Sequence, residues 1–260
     1  MNPQPSWDEL AAYYSAEYSP YDPNHGASQG DSEVLVEAKR VGNFRHIAVL
    51  PGLRLLDVGC GGGYFLRIMN QLGFQTMGVE PSESGAEVAR RDGLNIFHGT
   101  LEEFQHKEGV GKFDVITSSH VLEHVPDPIE TLKAMRQLLT STGYVWIAVP
   151  NAGCVWSQHL GTRWHSRDVP YHLQQFTSES MKKAAQNSGF KVRSLETYSM
   201  PSAVAASIRQ YLRLRFLLST RLSGRLGLID SMIAPRVARR LDSKIAGEAI
   251  LTTLVDGASH

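Results

Sequence analysis

Between Leu53 and Phe190 the chain alternates short apolar runs with segments whose apolar residues recur at helical spacing. Leu53–Val58 is an apolar run of strand type, and Gly59–Gly63 then turns the chain. Phe65, Ile68, Met69 and Leu72 follow on one helical face, with Gly73 as the stop. The same reading predicts strands at Phe74–Val79, Leu94–His98, Phe113–Thr117 and Tyr144–Val149. It predicts helices over Ser82–Asp92 and Ile129–Leu139. Thr177 caps a further helix that runs to Ser188 and ends at Gly189, a sixth strand begins at Lys191, and Ala249–Val255 reads as a closing strand. Strands alternating with helices imply right-handed crossovers and a mostly parallel α/β sheet covered on both faces. Ligands of such sheets sit beyond the carboxyl ends of the strands.

Three stretches fall outside this rhythm. Residues 1–45, with Tyr13, Tyr14, Tyr18 and Tyr21, read as an N-terminal cap of helix and loop. Residues 150–176 read as a long loop carrying Trp156, Trp164, Tyr171 and three histidines. Residues 203–246 read as two or three basic helices inserted between the sixth and the closing strand. The expected division is therefore a cap at 1–45, a core at 46–202, the insertion at 203–246, and a closing strand and tail at 247–260.

Composition narrows the class. With 260 residues, 42% hydrophobic and 20% charged, the chain can bury a full core and is neither disordered nor fibrous. Its two cysteines, Cys60 and Cys154, do not suggest a disulfide framework. Met1 to Leu10 lacks a basic segment followed by an apolar run, so no signal peptide is expected there, and a cytoplasmic location is the default. Net charge is zero overall, yet residues 203–246 carry +7, which leaves −7 elsewhere. Arginines mixed with Val204, Ile208, Tyr211, Leu212, Phe216 and Leu218 suit an anionic membrane surface or an anionic substrate. The scarcity of stacking aromatics there argues against nucleic acid.

Four segments carry candidate chemistry, each at a predicted strand end. The first is Leu55-Leu56-Asp57-Val58-Gly59-Cys60-Gly61-Gly62-Gly63, an acid and a glycine turn where backbone amides can approach a ligand. The second is Gly78-Val79-Glu80-Pro81-Ser82, whose carboxylate can accept from two ribose hydroxyls. The third is Gly99-Thr100-Leu101-Glu102, and the fourth runs from Phe113 through Ser118, Ser119 and His120 to Pro128. A dinucleotide-binding dehydrogenase wants glycines at the first, third and sixth positions of its turn, and no starting point here gives that spacing.

These segments, in this order, resemble the motifs of class I S-adenosylmethionine-dependent methyltransferases, and the fourth resembles the ubiquinone and menaquinone pathway branch. The resemblance covers roughly residues 50–200 and the final strand. It implies a Rossmann-like, seven-stranded, mostly parallel sheet with helices on both faces. It implies S-adenosylmethionine as methyl donor, S-adenosylhomocysteine as product and a small-molecule acceptor. Carried over, Asp57, Gly59, Cys60, Gly61 and Gly63 face the methionine part, and Glu80 and Pro81 the ribose. Thr100 and Leu101 lie near the adenine; Thr100 replaces the usual acid, so a backbone contact is expected. Ser118 and Ser119 flank the methionine end. His120, and His172 within Asp168–Thr177, are the acceptor-side candidates for base or positioning group. The acceptor stays open among phenolic or quinone-like compounds, a sugar and a lipid-linked intermediate, methylated on oxygen or carbon.

Two other classes compete: a non-catalytic nucleoside-binding module and a peripheral membrane protein working through 203–246. A remote third is a zinc hydrolase, because His120-Val121-Leu122-Glu123-His124 fits an inverted zinc-peptidase pattern. That pattern needs a helix through both histidines, and Pro126 and Pro128 oppose one. His159 and His165 lack ligand spacing with His172, so no metal is expected.

Overall fold

The computed structural model describes residues 30–216, 229–242, 244 and 246–258. Tyr13, Tyr14, Tyr18 and Tyr21, together with Leu218, Arg221 and Arg225, lie outside the described residues. The chain enters through helix α1 (Asp31–Val41) and a small hairpin of β1 (Asn43–Phe44) and β2 (Ile47–Ala48). There follow β3 (Arg54–Val58), α2 (Tyr64–Gln71), β4 (Gln75–Glu80), α3 (Glu83–Arg91), β5 (Ile96–His98) and α4 (Leu101–Gln105). Next come β6 (Phe113–Ser119), α5 (Pro128–Leu138) and β7 (Leu139–Pro150). The last part holds α6 (Val155–Leu160), α7 (Ser178–Asn187), β8 (Phe190–Tyr198), α8 (Pro201–Phe216), a π-helical turn (Ile229–Ile233), α9 (Ala234–Asp242) and β9 (Ala249–Asp256).

Seven of these strands form one sheet in the order β5-β4-β3-β6-β7-β9-β8. β3 through β7 pair in parallel, and β9 inserts antiparallel between β7 and β8. This is the Rossmann-like arrangement expected from the alternation of elements. Alternate residues of a strand serve opposite faces. Leu56 and Val58 of β3 therefore pack with Ile116, Leu132, Met135 and Met181 under α5 and α7. Leu55 and Val115 instead pack with Leu66, Ile68, Met69 and Ala89 under α2 and α3.

Local chemistry explains where the helices start. Asp127 accepts from the amides of Ile129 and Glu130 and Pro128 stands at the first position, so α5 begins there and no earlier. Thr177 caps α7 with a reciprocal Ser180 hydrogen bond.

The stretch 150–176 departs from the expected plain loop. Cys154 Sγ accepts from the Ser157 amide and opens α6. Two 3₁₀ turns, Gly161–Arg163 and His165–Arg167, follow, and the indole of Trp164 is buried beside Cys154 and Leu160. Apolar anchoring by Trp164 gives this segment a small core of its own. The inserted helices α8 and α9 bury Val204, Ala205, Ala234 and Ala238 against each other.

Candidate functional site

The strand order reverses between the parallel strands β3 and β6, and the carboxyl ends of β3, β4, β6 and β7 open onto one rim. At that rim Gly59, Gly61 and Gly63 all take positive φ, of 71°, 53° and 86°. A Cβ on Gly59 would lie 2.4 Å from Val121 Cγ2, so the turn passes close beneath the segment after β6.

Glu80 closes β4 beside this turn. Its Oε2 accepts from the Gly61 amide at 2.9 Å and its Oε1 from the Ser82 amide at 2.9 Å. Burial pushes its carboxyl above the usual range, and the two amide bonds oppose that shift. A carboxylate has about four lone-pair sites, so two remain for hydroxyl donors.

Asp57 lies on the neighbouring strand and is also buried. Thr117 Oγ1 donates to Asp57 Oδ1 at 2.6 Å. Burial raises the Asp57 carboxyl to about 7; the Thr117 bond and the Arg45 charge pull it down, and Glu80 pushes it up. Arg45, at the tip of the β1–β2 hairpin, was not indicated by any motif. Its guanidinium lies 5.2 Å from the Tyr64 ring centroid, over the start of α2.

Other residues singled out from the sequence take different positions. The Cys60 thiol is buried in the core with Leu66 and Ile96, so only its backbone faces the rim. Thr100 Oγ1 accepts from the Glu103 amide while Glu103 accepts from the Thr100 amide, a capping box that occupies both groups of Thr100. The Leu101 side chain is in the core, and Pro81 sits half-buried between Glu80 and α3. Ser118 is fully buried with its hydroxyl unpartnered among the described residues, whereas Ser119 is exposed.

The segment His120–His124 forms turns, not a helix, which removes the framework a zinc peptidase needs. His120 sits at φ +57°, donates its backbone amide to Ala148 O, and places Nδ1 3.2 Å from Glu123 Oε1. Its side chain is 55% exposed. Desolvation opposes its charge, yet the hydrogen bond and the negative charge of Glu123 together outweigh this and hold His120 above the usual imidazole value. His172 does not meet His120. It packs edge-on against His124, with ring centroids 4.7 Å apart, and its Nδ1 lies 2.8 Å from Ser166 O.

A family model described as a methyltransferase domain matches residues 10–195. The chain belongs to the methyltransferase domain family. A ubiquinone biosynthesis O-methyltransferase from Caulobacter sp. (strain K31) is 39% identical over 124 residues, which is 46% of this chain and 48% of that protein. A second, from Aromatoleum aromaticum, is 38% identical over 113 residues, or 40% and 47%. The chain thus spans about half the length of the curated relatives it matches. The fold of a SAM-dependent methyltransferase from Archaeoglobus fulgidus superposes with a TM-score of 0.54 at 18% identity, covering 89% of this chain and 96% of that one.

For a methyltransferase-family chain, the rim suits S-adenosylmethionine in three respects visible in these residues. The turn carries no side chain of its own at Gly59, Gly61, Gly62 and Gly63, Glu80 is preorganised by two amides, and the buried Ser118 hydroxyl has no protein partner among the described residues.

Proposed function

We propose that this chain transfers a methyl group from S-adenosylmethionine to a small-molecule acceptor, releasing S-adenosylhomocysteine. The observation that carries this reading is Glu80, bridging the Gly61 and Ser82 amides beneath the Gly59–Gly63 turn. Glu80 takes the ribose hydroxyls, with Pro81 beside them. The backbone of Gly59, Cys60, Gly61 and Gly63 lines the methionine part. Asp57 faces its ammonium, Arg45 its carboxylate, and Ser118 and Ser119 flank that end. The amide of Leu101, at the start of α4, is the remaining group for the adenine edge.

When bound, the sulfonium supplies an activated methyl group. The chain's own work is then to hold an acceptor in line and manage its proton. His120, whose imidazole value Glu123 raises, suits the orientation of a negatively charged oxygen. His172 carries its Nδ1 proton toward Ser166 O, which puts a lone pair on Nε2 and suits it to accept a proton. The O-methyltransferase names of the relatives favour a hydroxyl acceptor.

The acceptor and its setting are read from the insertion. No helix among the described residues is long and apolar enough to cross a membrane. Met232 and Ile233, 48% and 45% exposed, stand beside Arg236, Arg239 and Arg240, which also face outward. This basic, partly apolar surface favours an anionic or lipid-linked acceptor met at a membrane surface. Sedimentation with anionic against zwitterionic vesicles tests it; equal pelleting, or none, discards it.

The cofactor reading is tested by calorimetric titration with S-adenosylhomocysteine beside a Glu80→Ala control and an NAD titration. Wild type should bind the homocysteine and not NAD, and the control should lose roughly 1.5–3 kcal/mol or more. Failure of wild type to bind the homocysteine would overturn the proposal.

A further inference from the structure

Arg45 and His46 form the two-residue loop between β1 and β2, in which Asn43 pairs with Ala48 and Phe44 with Ile47. Both have positive φ, 46° and 69°. A two-residue hairpin loop of this twist needs two left-handed residues, which glycine and asparagine usually supply. Here an arginine and a histidine take that conformation, and the Asn43 side chain accepts from the His46 amide at 2.9 Å. Non-glycine residues stay in that region only where their surroundings fix them, and such places cluster at ligand sites. A hairpin of two-residue strands is too short to fix itself, and of its residues only Ile47 is buried.

The two side chains of the loop diverge. The Arg45 guanidinium lies over the rings of Phe44 and Tyr64, 5.6 and 5.2 Å from their centroids. Tyr64 opens α2 directly after the glycine turn, and the Arg45 charge is felt at Asp57. The His46 ring turns the other way, onto the sheet. It stacks on Trp146 of β7 with centroids 6.1 Å and planes 14° apart, and meets Tyr198 of β8 edge-on at 6.0 Å. Its Nδ1 stands 4.0 Å from Glu196 Oε1. Trp146 is itself packed against the core under α2, so the stack ties the loop to the sheet and not to another loop.

We propose that His46 is a positioning residue for the cofactor: its stack on Trp146 fixes the hairpin loop and so holds Arg45 where the carboxylate of the methionine part binds. This rests on the reading above, in which the rim takes S-adenosylmethionine with Arg45 at that carboxylate. The two residues share one tight turn, so His46 cannot leave Trp146 without turning the peptide that carries Arg45. A guanidinium grips a carboxylate through two parallel bonds, and that alignment is lost when the loop rotates. Arginine also gives up rotamer freedom on binding, and a loop fixed beforehand removes part of that cost. His46 touches no part of the cofactor in this arrangement and acts through Arg45 alone.

Calorimetry at pH 8, where Asp57 with its value of about 7 is ionised, compares two ligands. One is S-adenosylhomocysteine; the other is 5′-methylthioadenosine, which keeps the nucleoside and sulfur but lacks the carboxylate and ammonium. His46→Asn tolerates the left-handed backbone and removes the ring. It should weaken the homocysteine about threefold to tenfold, the scale of ordering one long side chain on binding, and leave 5′-methylthioadenosine within about twofold. His46→Phe keeps a ring on Trp146 and should bind closer to wild type than His46→Asn does. Arg45→Ala should lose more homocysteine affinity than His46→Asn, and adding His46→Asn to it should change nothing further. A merely structural His46 would weaken both ligands alike and would still do so in the Arg45→Ala background. Either result overturns the proposal, as does His46→Asn binding like wild type. Failure of wild type to bind the homocysteine, or Arg45→Ala binding it unchanged, overturns the cofactor reading itself and this inference with it.

Discussion

Thr117 and Asp57 are paired neighbours on the parallel strands β6 and β3, and the threonine hydroxyl donates to the aspartate at 2.6 Å. The carboxyl nevertheless titrates at about 7, because burial outweighs this bond and the nearby Arg45 charge. A ligand ammonium needs the ionised form. Affinity for S-adenosylhomocysteine should therefore rise with pH up to about 7 and then level off. The fall below that midpoint should approach about tenfold per pH unit. Calorimetry across pH 5.5–8.5 in buffers of different ionisation heat would show proton release on binding. Thr117→Val removes a bond to the charged form and should move the midpoint upward. An affinity flat across that range would remove Asp57 from the ammonium site.

Gly59 tests how tightly the turn is held. Alanine there combines a left-handed backbone, costing about 1–2 kcal/mol, with a Cβ only 2.4 Å from Val121 Cγ2, and overpacking adds about 1–3 kcal/mol. Gly93 has a similar φ, +74°, but open space around it. Gly59→Ala should thus lower the melting temperature more than Gly93→Ala and also lose the homocysteine ligand. Adding Val121→Ala should recover part of the stability, since it relieves the clash but not the backbone strain. Equal melting temperatures for the two alanine variants would contradict this packing.

Much of the fold was legible because a parallel sheet buried on both faces leaves continuous apolar runs such as Leu53–Val58, bounded by glycines. The rim acids were legible for a related reason: Asp57 and Glu80 interrupt or end such runs. The β1–β2 hairpin was not legible, since two-residue strands carry no periodicity, and with it went the placement of Arg45. The start of α6 was hidden because its cap is a cysteine. His172 and His124 are 48 positions apart, and their meeting depends on the Tyr171 and Ser166 carbonyls, which no spacing rule describes. Thr100 with Glu103 three residues on is a helix-start signature, and in the folded chain both the hydroxyl and the amide of Thr100 go to that cap.

That capping box gives Thr100→Ala a definite expectation. Losing the cap should cost about 1 kcal/mol of stability in chemical denaturation. Affinity for S-adenosylhomocysteine should change by no more than about 0.5 kcal/mol, the size of an indirect effect. A large loss of affinity at unchanged stability would place the Thr100 side chain in the cofactor site.

Glu248, just before β9, is 5% exposed and accepts from Ser207 Oγ at 2.7 Å through Oε1, while Oε2 is buried without a partner among the described residues. Burial raises its carboxyl to about 7; Ser207 opposes the shift and Asp242 adds to it. The folded value lies above the unfolded one, so the native state holds the proton more tightly. The associated stability is full below about pH 4.3 and is lost as pH rises through 7. A shift of this size is worth about 3 kcal/mol. Glu248→Gln keeps an acceptor for Ser207 and removes the titration. Urea denaturation of both proteins at pH 4.5, 6 and 8 should show wild type losing ground to the variant by about 3 kcal/mol across that range, with the change centred between 5 and 7 and little beyond pH 8. Because Gln places a new amide group where Oε2 stood, the offset between the two proteins is not the readout. Their relative slope with pH is, and parallel stability curves would show that Glu248 is already ionised in the folded chain.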